Sequence, residues 1–147
     1  LYPTASNDAP TMATATATGD VANPGANVAN YGGGGDWNGL DGNVTTVGSA
    51  GPASASHYGT FDQAGNVYEW TEAVSDDTRS RCIRGGYFES IALSIASTST
   101  SLCFYQFHNA IIGFRVASSA PLADFDLDLD VDLTDYQHFQ NRMSGPE

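Results

Sequence analysis

Apolar residues are sparse and small over the first 60 positions, which run mainly to Ala, Thr, Gly, Asn and Ser. They are denser from Phe61 to Val116, where most of the aromatic side chains fall. This contrast predicts a core within 61–116, with the N-terminal part lying over it as long loops. Phe61 to Trp70, Cys82 to Phe88 and Ile111 to Ala117 read as short strands, the last one buried. Ser90 to Ser101 is small and polar, a surface loop or a sheet edge. The run from Thr11 to Thr18 alternates Thr with Ala, which suits either a strand with a threonine face or an extended, O-glycosylated segment. Gly32 to Gly35 is a flexible turn and not a phosphate loop, because no Lys-Ser/Thr follows it.

Ser118-Ser119-Ala120-Pro121 reads as a linker, and the pattern changes beyond it. The predicted organisation is one domain over 1–118, a linker over 119–123 and a small acidic unit over 124–147. From Asp124 to Leu133 aspartates alternate with Phe125, Leu127, Leu129, Val131 and Leu133. Thr134 to Met143 then reads as a helix with Tyr136, Phe139 and Met143 on one face.

Charge narrows the partners. The 147-residue chain carries a formal charge of −12 and has no lysine; its cations are five arginines. Such a surface repels nucleic acid and anionic membranes and favours cations, calcium foremost. No stretch is long and apolar enough to span a membrane. The composition suits a secreted or cell-surface protein. The chain opens on Leu1-Tyr2-Pro3-Thr4 with no signal peptide, as a processed product or fragment would. Cys82 and Cys103 are a candidate disulfide, with two buried thiols as the alternative. Asn43-Val44-Thr45 is a candidate glycosylation sequon. His57, His108 and His138 lie in unrelated contexts, and no Ser-His-Asp order or close carboxylate pair emerges.

Three pieces carry a family resemblance: Gly65-Asn66-Val67-Tyr68-Glu69-Trp70-Thr71, Arg81-Cys82-Ile83-Arg84-Gly85-Gly86-Tyr87-Phe88 and Gly113-Phe114-Arg115-Val116-Ala117. In this order and spacing they resemble the C-terminal half of the formylglycine-generating, sulfatase-modifying-factor family, over about residues 26 to 118. The run from Gly59 to Val67, with the opening Leu-Tyr-Pro-Thr, is similar to a subgroup of bacterial secreted proteins. The resemblance implies an irregular, loop-rich α+β fold related to C-type lectin domains, built on short antiparallel strands. It also implies that the family's N-terminal half is missing, so that another copy or another chain covers the surface left bare. Oxidase members use two cysteines that map here to Ser90 and Ile95, neither of which can form a thiolate or bind copper. The implied protein is not an enzyme. Arg84 and Arg115 are expected to serve structure, each bonding carbonyls or a carboxylate.

The resemblance also implies calcium. One family site maps to the side chains of Asp62 and Glu69 with the carbonyls of Gly65 and Val67; the alternative is that Glu69 merely pairs with an arginine. A second maps to Asn30, Tyr31, Asp41 and Asn43, with Asp36 as a competing ligand. The tail resembles a single dockerin-type calcium loop, a relative of the EF-hand, with ligands Asp124, Asp126, Asp128, Asp130, Asp132 and Asp135. Leu127 and Leu129 stand where such loops carry glycine, and the alternative is a strand with one acidic face. The expected function is therefore a non-catalytic, extracellular, calcium-binding structural or adhesive module, in its sharper form a subunit of a surface filament or matrix. A lectin-like domain binding carbohydrate or protein is the alternative. A formylglycine-generating-type oxidase is the reading the missing cysteines disfavour.

Overall fold

In a computed structural model, residues 1–74, 80–104, 106, 109–115 and 133–143 are described. The chain divides into two compact units, Leu1–Arg115 and Val116–Glu147.

The first unit has little regular structure, and the sequence explains why. Gly, Asn, Pro and Ser recur too often for long strands, and many positions need left-handed backbone. Strands β1 (Thr11–Met12) and β2 (Val28–Ala29) pair in parallel over two residues each. The rest of this region is tied by side chains that stand in for a strand partner. Asn23 accepts from the Thr14 N–H at 2.8 Å and donates to the Met12 carbonyl at 3.0 Å. Ser54, on a 3₁₀ turn at Pro52–Ser54, accepts from the Val28 N–H at 2.7 Å and donates to the Gly25 carbonyl. Trp37 donates from Nε1 to the Val44 carbonyl at 2.8 Å.

The main sheet has the order β5-β4-β3-β6. Strand β4 (Ser80–Arg84) pairs antiparallel with both β3 (Tyr68–Val74) and β5 (Ser101–Phe104). Strand β6 (Ile112–Gly113) joins β3 in parallel, so the sheet is mixed. A register shift between Trp70 and Val74 bulges β3. The three segments expected to be strands do contain strands, though β3 starts and ends later than 61–70, β4 is shorter than 82–88, and β6 keeps only two residues of 111–117. Strand β5 starts inside the segment read as ending in a loop or edge, and it is a sheet edge.

The core is only partly where it was expected: Ala64, Ile83 and Ile95 are buried within 61–116, but Ala13, Val21, Val28, Ala29 and Ala50 are buried before it. One buried cluster is Ala13, Val21, Val28 and Ala50; a second is Ala29, Ala64 and Ile95, with Tyr2 and Tyr31 packed against it. The N-terminal part thus supplies core of its own and shares the rest with 61–116. Its Ala and Val side chains are short enough for backbone segments to close on one another. Ser90–Ser101 is also more than a surface loop. Its 3₁₀ turn, Ala92–Ile95, drives Ile95 to complete burial. On β5, by contrast, Leu102 and Phe104 are exposed.

The expected disulfide is not formed; both cysteines are free. Cys82 stands opposite Leu102, and Cys103 opposite Arg81. Opposed residues share a face and successive residues alternate, so the two thiols point to opposite sides of the sheet. A bridge would need a one-residue slip of the ladder.

The second unit contains helix α1, Leu133–Met143. Among the described residues, no helix is long and apolar enough to cross a membrane. The aspartates at 124, 126, 128, 130 and 132 lie outside the described residues, and Asp135 falls on α1.

Candidate functional site

Three clusters receive the residues singled out in the sequence. The first follows Gly85-Gly86, where both glycines adopt positive φ, 86° and 71°. A Cβ on Gly86 would lie 2.6 Å from Cγ2 of Ile95 and 3.1 Å from Oγ of Ser90. The residues at the family's cysteine positions therefore pack directly on this glycine. Ser90 is 6% exposed, and its Oγ accepts from the Tyr87 N–H at 2.9 Å. Its carbonyl takes the Gly32 N–H at 2.9 Å, and the Phe88 carbonyl takes that of Gly33 at 2.8 Å. The glycine run, expected to be a flexible turn, is pinned to this loop. Ser90 closes a local turn and Ile95 fills the core.

The second cluster is the turn from Asp62 to Glu69. Asp62, Gly65 and Asn66 have φ of 53°, 77° and 66°, which Asp, Gly and Asn tolerate best. Glu69 enters β3, and Arg115 reaches it just past β6. The guanidinium grips both carboxylate oxygens of Glu69, and its Nη2 donates to the Asp62 carbonyl at 3.1 Å. The hydrogen bonds that Arg115 donates to Glu69 push its pKa above the ordinary value, against burial, which lowers it. Oδ2 of Asp62 accepts from the Gly48 N–H at 2.7 Å. Burial raises the Asp62 pKa, outweighing the Gly48 bond and Arg115, which lower it. The Asp62 carbonyl and the Glu69 carboxylate meet on Arg115, while the Asp62 carboxylate takes the Gly48 N–H. A calcium ion bound to Glu69 would share that carboxylate with Arg115.

The third cluster is a buried amide network. Asn30 is 3% exposed. Its Nδ2 donates to the Asn43 carbonyl at 2.8 Å and to Oδ1 of Asn66 at 3.2 Å, which uses both protons and fixes the amide's orientation. Oδ1 of Asn30 is left buried with no donor. A Cβ on Gly35 would lie 2.8 Å from that oxygen and 3.1 Å from the Asn43 carbonyl. Asn66 binds both backbone groups of Thr45, at 2.8 and 3.2 Å, as a strand neighbour would. Asn30 and Asn43 are thus brought together. Asp41 is exposed, and Asp36 is committed to the Gly42 N–H at 2.7 Å. The Tyr31 hydroxyl donates to the Pro10 carbonyl at 2.6 Å, and its pKa is raised by burial and then by Tyr2. In the sequon, Asn43 is half-buried and Thr45 is buried.

Among the described residues no three His, Cys, Asp or Glu side chains converge on a point that could hold a metal. A cation site here has to be completed by amide and carbonyl oxygens, which hard cations accept. The orphaned Asn30 oxygen fits that demand. Sequence reasoning missed Asn66, the hub of the network, although a Gly-Asn pair ahead of a strand is a left-handed turn signal.

Irregular backbone, a small mixed sheet and a Gly-Gly turn closed by a following loop define a loop-rich class of domain. A family model for the sulfatase-modifying factor enzyme 1-like domain matches residues 7–120, and the chain belongs to that family. The match starts nearer the N-terminus than residue 26, where the motif resemblance begins. Among curated proteins, none matches the chain.

Proposed function

We propose that this chain is a non-catalytic, extracellular member of its family, a calcium-stabilised module of structural or adhesive type. The observation that carries the reading is the buried Asn30 Oδ1, which accepts no hydrogen bond although both protons of the same amide are used. An unpaired buried acceptor costs on the order of 1–3 kcal/mol, and a cation beside it removes that cost. Asn30 with the carbonyls of Tyr31 and Asn43 and the carboxylate of Asp41 would hold the ion. Calcium would supply positive charge joining the 30–31 and 41–43 loops in a strongly acidic chain. The Asp62–Glu69 turn is the second candidate and the aspartate tail, read as a dockerin-like loop, the third. The non-catalytic part of the reading is supported by Ser90 and Ile95, which occupy the thiol positions as packing residues.

The test is melting temperature against free calcium. A ligand bound only to the folded state stabilises it by about 2.7 kcal/mol at a hundredfold excess over Kd. We expect chelation to lower the melting temperature, and Asn30→Ala to shrink the difference between calcium and chelator. No difference in the parent protein would sink the calcium reading. An undiminished difference in the variant would move the ion to the Asp62–Glu69 turn or to the aspartate tail. A filament or matrix subunit should also sediment as large species at high concentration with calcium, and a persistent monomer would exclude that form.

A further inference from the structure

A cavity of about 630 Å³ opens beside the start of β3 and the end of β4, in the size range of small-ligand sites. It borders two of the clusters, through Gly85 of the Gly-Gly turn and through Gln63 and Glu69 of the Asp62–Glu69 turn. Its walls include Tyr2, Tyr58 and Trp70, with Thr71, Arg84 and Glu69 as polar members. Its electrostatics differ from those of the chain as a whole. The formal charge of the protein is −12, yet Glu69 is the only carboxylate among the described lining residues. Both oxygens of that carboxylate are engaged by Arg115. Arg84, directly opposite Glu69 in the β3–β4 register, is therefore not needed to neutralise it. Nη1 of Arg84 donates to the Ser97 carbonyl at 2.8 Å, which anchors one corner of the guanidinium. The planar fork carries further donors suited to a carboxylate.

The aromatic groups supply the other half of the chemistry. Tyr58 is 86% exposed and meets His57 edge to face at 5.5 Å. An aromatic ring held at the mouth of a cavity offers a flat apolar surface with a polar tip. Stacking surface and guanidinium together match a ring that bears a negative group.

From this arrangement we infer that the cavity binds a single six-membered ring carrying a carboxylate, with Arg84 holding the carboxylate and the aromatic walls covering the ring. A uronic acid and an aromatic acid share that chemistry. The inference does not depend on calcium, and the titrations are run with calcium present. Backbone amide chemical shifts of the full chain would be followed with glucuronate, glucose and benzoate. Glucuronate, benzoate or both should shift residues around Arg84, Trp70 and Tyr58 with saturation at millimolar concentration, and glucose should bind at least tenfold more weakly than glucuronate. The response of the better acid identifies the ring type. Arg84→Gln should weaken the acid at least tenfold, and Tyr58→Ala, a change at an exposed position, should weaken it several-fold. No saturable shift with either acid overturns the inference. So does glucose binding as well as glucuronate, or an acid affinity unchanged in Arg84→Gln. Should Arg84→Gln fail to fold, the comparison of acid with neutral sugar in the parent protein and in Tyr58→Ala still decides.

Discussion

The N-terminal region and the sheet region reach order by opposite routes. Residues 1–60 have almost no strand ladder, yet they contain a buried cluster of their own. Their backbone polar groups are met by Asn and Ser side chains that imitate a neighbouring strand. Residues 68–113 have the ladders, yet Val74, Leu102 and Phe104 stand largely in solvent. Regular hydrogen bonding and apolar burial usually coincide; here they are partly separated. Stability should therefore be more sensitive to small polar changes in the first region than to large apolar ones at the edge of the second.

The contact between the two regions should be the weakest point to tamper with. Gly65 bridges to Asn30, and a Cβ on it would lie 2.0 Å from the Asn30 carbonyl oxygen. Gly33 has the same φ, 77°, and nothing within 4 Å of the added carbon. The pair separates collision from conformational strain. Gly65→Ala should cost about 3 kcal/mol or more and Gly33→Ala about 1 kcal/mol, read from urea unfolding. Equal costs would mean that the two regions are not braced against each other at this bridge.

Within the regions, Ser54→Ala and Phe104→Ala put the comparison directly. The first removes one oxygen and leaves the Val28 N–H and the Gly25 carbonyl unsatisfied, at a cost of roughly 2 kcal/mol. The second removes a whole ring, but one that is 63% exposed, and should cost less than about 1 kcal/mol. The reverse order, measured by denaturation, would break the contrast. It would show that the β5 face is covered in solution, as association through this edge requires.

The difference between the regions also explains what could be read from the sequence. The sheet strands follow a hydrophobic signal, so Phe61 to Trp70, Cys82 to Phe88 and Ile111 to Ala117 each located one, with ends displaced by turns. The pairing was less legible. A parallel β6 beside β3, and a β4–β5 register that separates Cys82 from Cys103, are set by distant parts of the chain. The N-terminal core left almost no signal, since Ala13, Val21, Val28 and Ala50 are short and scattered and the stabilising groups are amides and hydroxyls. Ile95 looked like part of a polar loop because one isoleucine among serines has no period. At the candidate sites, the sequence allows Glu69 to pair with an arginine, and Arg115 is that arginine. The pairing of Asn30 with Asn43 followed the family mapping, whereas the role of Asn66 needed the fold.

Asp62 gives the subtlest test, because it belongs to the turn that joins the regions and carries a charge the fold only partly compensates. Burial raises its pKa above the ordinary 3.8. The folded state therefore holds the proton more tightly than the unfolded chain does. The stability this contributes is complete below the unfolded value and is lost as pH rises through the folded one. At neutral pH the ionised carboxylate is then a small net burden in the absence of metal. Asp62→Asn keeps an oxygen to accept the Gly48 N–H, so with chelator present it should raise the melting temperature slightly at neutral pH and flatten its fall across the carboxylate range. With calcium added, the variant should lose that advantage if Asp62 is a ligand, and keep it if Arg115 is the only cation the turn uses. Lower stability of Asp62→Asn in chelator would show instead that attraction to Arg115 outweighs burial of the carboxylate, and that the turn is held by charge in the way the sheet edge is not.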